Sequence, residues 1–296
     1  PKAAWSFDQH RRARVRRSLA ASGLVEAVTV SFMADEMAQL FGGSIDILKL
    51  VNPISADLNT MRPSILPNLI SAAGRNADRG IADCSLFEVG PQFKSDDADG
   101  QEIVATGIRS GRTGRRNWAE SPRNVDVFDA KADVLVALKA AGLHVNNIKT
   151  LSVAPNWYHP GRSGTLSLGQ NKTLAVFGEI HTNVLTKLDV KGPVAGFEVY
   201  LENLPTQKKS KGTARPSVQL SQFQSVNRDL AFVVDEDVSA EVLLQAAMSA
   251  DKTLISDVTA FDLFQGGNLG DGRKSLALNI TLQPADRTLT DLEINA

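Results

Sequence analysis

The sequence is short of several residue types, and each shortage excludes a class of protein. A single cysteine, Cys84, excludes an internal disulfide and is typical of a reducing compartment such as the cytoplasm. The four histidines have no metal-ligand spacing with one another or with Cys84, so no zinc site is expected; they are His10, His144, His159 and His181. No apolar run approaches the roughly 18 residues that a membrane-spanning helix needs.

An excess of one charge is lacking as well. The chain has 32 Lys and Arg residues against 33 Asp and Glu, so its formal net charge is −1. Overall charge therefore gives no sign of a nucleic-acid-binding protein, and any affinity for RNA has to come from cations placed locally. With 296 residues and 43% hydrophobic content, the chain is long enough for two domains with ordinary cores.

Signals of nucleotide-binding loops and of common catalytic sets are also missing. The Gly-rich segment 266–272 has no Gly-Lys-Ser/Thr ending and separates two apolar runs, whereas a phosphate loop precedes a helix. No Ser/His/Asp arrangement stands out, and Asp262 lacks an acid partner that would indicate general acid–base catalysis. We therefore predict no catalytic residue.

What the sequence does contain is clearest in its last third. Apolar and polar residues alternate over 227–234, 258–264 and 274–282, and this period of two predicts three half-buried strands. Residues 239–250 have helical spacing, so the order is β-α-β-β, with the Gly-rich segment as a hairpin connection. This pattern predicts a ferredoxin-like split βαβ sheet that has helices on one face and leaves the other open.

Strand parity predicts which residues occupy the open face. The inward side chains are apolar and include Leu230, Phe232, Val234, Phe261, Leu263, Leu276, Leu278, Ile280 and Leu282. The outward ones include a small residue, a carboxylate, an aromatic ring and a hydroxyl, namely Ala231, Asp262, Phe264 and Ser275. Such a face can stack a base on the ring and bond its edge through the carboxylate and hydroxyl, as single-stranded RNA is commonly recognised.

Four motifs in this region carry a family resemblance. They are Ser225-Val-Asn-Arg-Asp-Leu-Ala-Phe232, Phe261-Asp-Leu-Phe264, Gly272-Arg-Lys-Ser-Leu-Ala277 and Asp286-Arg-Thr-Leu-Thr-Asp291. Their order and spacing resemble the ferredoxin-fold anticodon-binding domain that ends the bacterial phenylalanyl-tRNA synthetase beta chain. The resemblance implies that Ala231, Asp262, Phe264 and Ser275 surround the first anticodon base.

A second interpretation of this face stays open. Phe264 could pack beneath further elements, and Asp262 could pair with Arg228 or Lys274. If the face binds RNA, those two cations are candidates for phosphate contacts.

The first two thirds of the chain resemble the catalytic-like module of the same beta chain. The similar segments are residues 48–70, 83–90, 125–131, 157–162 and 178–181. The resemblance implies an α+β fold in which the antiparallel sheet of class II synthetases is followed by the ferredoxin-like domain. The expected domains are an inactive class II-like module over 1–205, a basic linker over 206–216 and an anticodon-binding domain over 217–296.

The arginines that class II adenylation requires are missing from this module. A Phe-Arg-x-Glu motif would supply a planar cation for the ATP phosphate, but Ser85-Leu86-Phe87-Glu88 has leucine at that position. No arginine occurs between Ser163 and Ala214, where the second nucleotide arginine is expected. We therefore expect the chain alone to be non-catalytic.

Three other stretches of the first domain give local expectations. Residues 8–21 form a predicted helix in which five arginines contact either an anionic partner or solvent: Arg11, Arg12, Arg14, Arg16 and Arg17. Residues 24–32 alternate as a strand. The basic loop 109–123 either contacts RNA through its arginines and Trp118 or is solvated, with Trp118 covering the core.

The resemblance also implies partners and a cellular role. It implies a cytoplasmic phenylalanine–tRNA ligase with two alpha and two beta chains, in which this chain supports the catalytic alpha chain through an extensive hydrophobic surface on 1–205 and binds the anticodon of tRNA(Phe). ATP and magnesium are used by the whole enzyme, with no cofactor bound by this chain. The alternative is a subunit-assembly module without RNA binding. The start at Pro1 and an expected helix beginning at 292–294 suggest a fragment with an incomplete last domain.

Overall fold

The computed structural model describes residues 4–43, 46–145, 148–169, 172–206, 217 and 220–290. The chain divides into two compact units, Pro1–Lys209 and Ser210–Ala296. Most of the predicted linker, residues 207–216, lies outside the described residues, as does the helix expected at 292–294.

No helix within the described ranges is both long and apolar enough to cross a membrane.

The first unit is built on a seven-stranded sheet. Its helices are α1 (Phe7–Ala21), α2 (Asp35–Gln39), α3 (Leu66–Asp78), α4 (Val127–Ala140) and α5 (Thr182–Lys187). Its strands are β1 (Val25–Glu26), β2 (Phe32–Met33), β3 (Thr60–Met61), β4 (Cys84–Phe93), β5 (Gln101–Ser110), β6 (Lys149–Leu151), β7 (Tyr158–Leu168), β8 (Lys172–Ile180) and β9 (Val194–Tyr200). The sheet order is β1-β4-β5-β9-β8-β7-β6, and β2 pairs with β3 separately. All neighbours in the large sheet are antiparallel except β1 and β4.

Both faces of this sheet are covered because its strands alternate between two apolar sets. Phe87 and Phe197 belong to the cluster that packs with α1 and α4. Leu86 and Ile108 belong to the cluster under α3. Period-two alternation in a strand covered on both sides produces this division. The predicted α+β fold with a largely antiparallel sheet is confirmed.

Buried polar side chains interrupt the face under α3. The guanidinium of Arg62 donates to Glu88 Oε1 at 2.8 Å and to the backbone oxygen of Pro91 at 2.8 Å. Further along the same face, Glu198 Oε1 accepts a hydrogen bond from Ser64 Oγ at 2.7 Å, and its Oε2 accepts one from Tyr158 OH at 3.3 Å. Each buried carboxylate thus has a donor, as burial of such a group requires.

The predicted strand over residues 24–32 is wrong. Only Val25–Glu26 pairs with β4, and the backbone N–H of Ala27 makes a last bond to the Phe87 carbonyl at 2.7 Å. The chain then leaves the sheet because Glu88 Oε2 accepts bonds from both the N–H and the hydroxyl of Thr29, at 3.1 and 2.6 Å. Val28, expected to alternate in a strand, is 90% exposed.

Two other expectations for the first unit also need correction. Trp118 does not cover the core, because it is 98% exposed on a loop whose backbone pairs with itself through Thr113 and Arg123. Arg11 is neither on the surface nor facing a partner: it is buried and donates to the carbonyls of Leu201 and Pro205 at 3.2 and 2.7 Å.

The second unit has the predicted β-α-β-β order. Its elements are β10 (Val226–Asp235), α6 (Ala240–Ala250), β11 (Ile255–Gln265) and β12 (Arg273–Leu282). The sheet order is β10-β12-β11, with β12 antiparallel to both neighbours. Ser239 caps α6 by accepting from the N–H of Val242 at 3.4 Å. The core consists of Leu278, Ile280 and Leu282, with Leu243 and Leu244 of α6 packed against it.

The predicted burial of Phe261 and Leu263 is wrong, since they are 56% and 53% exposed. A bulge lies between Ala260 and Asp262, so Phe261 is inserted without a partner on β12. Leu263 lies opposite the buried Leu276, but it belongs to β11, an edge strand of the three-stranded sheet, and its own side chain stays outside the core cluster.

The buried Glu198 makes the stability of the first unit depend on pH. Burial raises the pKa of Glu198 from its ordinary 4.5 to about 7. The folded state therefore binds the proton more tightly, and the free energy of unfolding falls as pH rises from 4.5 towards 7. The full effect of one such group is on the order of 3 kcal/mol.

We expect Glu198→Gln to remove this part of the pH dependence, because glutamine keeps an acceptor for Ser64 and cannot ionise. The measurement is denaturant unfolding between pH 4.5 and 8, with the exposed Glu120→Gln as the control. Equal pH profiles for wild type and Glu198→Gln would contradict the assignment.

Candidate nucleic-acid interface

The cross-strand register brings the four predicted open-face residues together. Ala231 of β10 and Asp262 of β11 both lie opposite Ala277 of the central strand. Phe264 of β11 lies opposite Ser275 of that strand. Directly opposed residues in antiparallel strands point to the same face. The four side chains therefore share one face, at two neighbouring outward positions of β12, while α6 packs on the other face.

Phe264 presents its ring beside the Gly-rich connection. The side chain is 53% exposed. A Cβ added at Gly267 would come within 3.4 Å of the ring atom Cζ, so the glycine lets the backbone approach the tip of the ring. Gly267 also has a φ of +64°, which other residues rarely adopt. The connection thus supports the ring while leaving more than half of the side chain accessible.

Asp262 has one carboxylate oxygen occupied and one available. Oδ1 accepts a hydrogen bond from the backbone N–H of Leu263 at 2.9 Å. Among the described residues, Oδ2 makes no hydrogen bond. The local bond orients the carboxylate, and the second oxygen can accept a bond from the edge of a base.

The two candidate phosphate contacts lie elsewhere on the sheet. Arg228 is opposite Ile280 and Lys274 is opposite Val234, so both are on the side that carries α6. Lys274 Nζ donates to the carbonyl of Glu236 at 2.7 Å. Neither cation pairs with Asp262. The ion pair between Asp262 and Arg228 or Lys274, which the second interpretation of this face included, is therefore not formed. Any phosphate contact by these cations would be made at the rim of the sheet.

The sequence pattern missed a polar half of the same face. Asn279 Nδ2 donates to Asp229 Oδ1 at 2.6 Å, and Thr281 Oγ1 donates to Asn227 Oδ1 at 2.9 Å. Alternation shows that these side chains point outward, but only the register shows which of them meet. The side chains of that half are therefore already bonded to one another, whereas Asp262 has an available oxygen and Phe264 an exposed ring. A bound nucleotide is better placed at the Ala231–Phe264 half.

The surroundings of Leu86, which the resemblance assigned to the position of a nucleotide arginine, are apolar. Leu86 packs against the cluster under α3. Glu88, two residues further along β4, is held by Arg62. In the described part of the chain, no three His, Cys, Asp or Glu side chains converge in a way that could hold a metal ion.

These features define a two-unit α+β protein with a large, mostly antiparallel sheet in the first unit and a ferredoxin-like second unit that presents an open face. Residues 2–201 match the family described as "Phenylalanyl tRNA synthetase beta chain CLM domain", and residues 221–296 match the "Ferredoxin-fold anticodon binding domain". The chain belongs to the phenylalanyl-tRNA synthetase beta chain family.

Curated relatives agree with this assignment along the whole chain. Over 296 residues the chain is 54% identical to the phenylalanine–tRNA ligase beta subunit of Paramagnetospirillum magneticum and 52% identical to that of Rhodospirillum rubrum. Identity to the Brucella suis beta subunit is 50% over 97% of this chain. The chain spans 37% of the length of the first two relatives and 36% of the third.

A solved pyrrolysyl-tRNA synthetase of Desulfitobacterium hafniense superposes on 65% of this chain and 64% of its own, with 15% identity and a TM-score of 0.49. A likeness of that extent adds nothing to the fold described above.

Proposed function

We propose that this chain acts within the beta subunit of a cytoplasmic phenylalanine–tRNA ligase, where its second unit binds the anticodon of tRNA(Phe). The observation that carries this proposal is the grouping of Ala231, Asp262, Phe264 and Ser275 at neighbouring positions of one exposed sheet face. The family match to an anticodon-binding domain over residues 221–296 supports it.

Each of the four side chains has a distinct role in this proposal. The Phe264 ring stacks on the first anticodon base, and the small Ala231 leaves room for the base above the sheet. Asp262 accepts hydrogen bonds from the donor edge of guanine through its available oxygen, and the Ser275 hydroxyl bonds a further edge atom. Phosphate contacts by Arg228 and Lys274 position the loop without reading its sequence.

The first unit supports the catalytic alpha chain in this proposal and has no adenylation site of its own. Leu86 offers no cation to an ATP phosphate. ATP and magnesium are therefore used by the alpha chain of the whole enzyme, which assembles from two alpha and two beta chains. The domain division into a class II-like module, a linker and an anticodon-binding domain belongs to the same proposal, and the two compact units are consistent with it.

An exposed apolar edge favours a site for the alpha chain. β1 is the terminal strand of the large sheet. Beyond its end the chain leaves the sheet, and Val28 and Val30 of this segment are exposed. Val25 on β1 is exposed as well. Exposed apolar residues beside an unpaired sheet edge are typical of an interface that a partner completes. The same edge favours the second candidate function, a subunit-assembly module without RNA binding.

We expect Phe264→Ala to weaken tRNA binding by the whole ligase by roughly 1–3 kcal/mol, because one base loses its stacking surface. The matched control is Phe261→Ala, which removes an equally exposed ring from the bulge of the same strand. Equal affinities of wild type and Phe264→Ala would leave the subunit-assembly function as the better account.

We expect Asp262→Ala to reduce discrimination at the first anticodon base more than overall affinity. The carboxylate reads the base, whereas affinity depends mainly on phosphates. The measurement is the ratio of affinities for a stem-loop with guanine at that position and one with another base. We expect this ratio to be roughly tenfold smaller in Asp262→Ala than in wild type. Asp257→Ala, on the same strand and face, is the control. Unchanged discrimination would remove Asp262 from the reading role.

We expect Val28→Asp to weaken association with the alpha chain, because an unpaired carboxylate would be buried at the interface. Co-purification and sedimentation of the two chains measure the effect. Val51→Asp places the same charge at another fully exposed valine and should leave association unchanged. Normal assembly of the Val28→Asp protein would place the interface elsewhere.

A further inference from the structure

The segment Gly111–Asn124 between β5 and α4, here named the arginine loop, is ordered by its own backbone. Arg112 and Asn124 form an antiparallel bridge. The N–H of Thr113 donates to the carbonyl of Arg123 at 2.9 Å, and the N–H of Val125 donates to that of Gly111 at 3.0 Å. At the tip, Asn117 Oδ1 accepts bonds from the N–H groups of Ala119 and Glu120, each at 2.9 Å.

The two arginines at the base of the loop are used to anchor the structure. Arg109, on β5, donates to Asp133 through two nitrogens at 2.6 and 2.8 Å. Arg123 donates to Asp129 through two nitrogens, each at 2.8 Å. These bidentate pairs neutralise Asp133 and Asp129, two of the acidic side chains beside the loop.

The three arginines further along the loop are left without such partners. Arg112, Arg115 and Arg116 are exposed, and among the described residues their guanidinium groups make no ion pair or hydrogen bond. Trp118 beside them is 98% exposed. None of the bonds that order the loop depends on these four side chains, so the loop displays them without requiring them for its own conformation.

A groove runs along one side of the loop. It has a volume of about 620 Å³ and is lined by Arg112 and Arg115 on one side and by the α3–β4 turn on the other, including Gly80 and Asp83. Asp83 Oδ1 accepts a hydrogen bond from the backbone N–H of Arg112 at 2.9 Å. Gly80 and Gly114 have no side chain, so a backbone of another molecule can approach closely. Three arginines and one aspartate line this open groove, so its lining has a net positive charge that suits a chain of phosphates.

We propose that the arginine loop is a second tRNA contact, in which Arg112, Arg115 and Arg116 bind the phosphate backbone and Trp118 stacks on an unpaired base. This inference rests on the proposed function, because it takes tRNA as the ligand. Arginines with an interleaved exposed aromatic are the combination that binds nucleic acid without reading sequence. An acidic protein partner would account for the arginines but would not require the tryptophan.

The first test replaces all three arginines in the complete ligase, as Arg112→Gln, Arg115→Gln and Arg116→Gln together. We expect tRNA(Phe) binding to weaken roughly tenfold, and the slope of log affinity against log salt to fall by roughly 2, because three phosphate contacts are lost. The loss should be the same for an anticodon-altered tRNA, which separates this contact from the Phe264 face. The control replaces three exposed lysines of the same unit: Lys139→Gln, Lys187→Gln and Lys191→Gln.

The second test, Trp118→Ala, should lower tRNA affinity several-fold with an unchanged salt slope, because stacking releases no counterions. Unchanged affinity and salt slope in the triple arginine variant would overturn the inference. An equal loss in the lysine control would overturn it as well, since the effect would then be one of total charge. Weakened association with the alpha chain alongside normal tRNA binding would assign the loop to an acidic protein surface instead.

Discussion

The pairing of β12 along both of its edges is the constraint on which the open face depends. This strand alternates leucine or isoleucine with small and polar residues, so its inward side chains form the core of the second unit. Its outward positions fix which residues of β10 and β11 become neighbours. A shift of one residue in either pairing would exchange inner and outer side chains on that neighbour. Burial of Leu278 against α6 therefore also places Asp262 and Ala231 beside Ala277.

The first unit depends on a different constraint, which is the buried carboxylate of Glu88. Its Oε1 pairs with Arg62, and its Oε2 holds Thr29. A carboxylate buried without partners would be strongly unfavourable, so these bonds are retained together. By holding Thr29, Glu88 keeps the chain away from the sheet edge after Ala27, and Val28 and Val30 are exposed. A buried polar contact thus produces the apolar edge that we assign to the partner chain.

The sequence predicted much of this because period two is a property of the strands themselves. All strands of the second unit, and the outward direction of Ala231, Asp262, Phe264 and Ser275, follow from alternation alone. The errors arose where a contact between distant residues overrides the local pattern. A bulge removes Phe261 from the pairing, and Glu88 removes Thr29 from a strand that its neighbours predict. Trp118 is apolar but lies on a loop that pairs with itself, which composition does not reveal.

A net charge near zero is compatible with RNA binding because some cations of this chain are bonded within the fold while others are exposed and unpaired. Arg62 and Arg109 are held by buried acids, and Arg11 by backbone carbonyls, so none of these is available to phosphate. Arg112, Arg115 and Arg116 of the arginine loop have no acidic partner among the described residues, whereas the open face of the second unit has carboxylates and few cations. The two surfaces therefore suit different tasks. Phosphate contacts supply affinity that falls with salt, while a face with one ring and one oriented carboxylate supplies discrimination among bases.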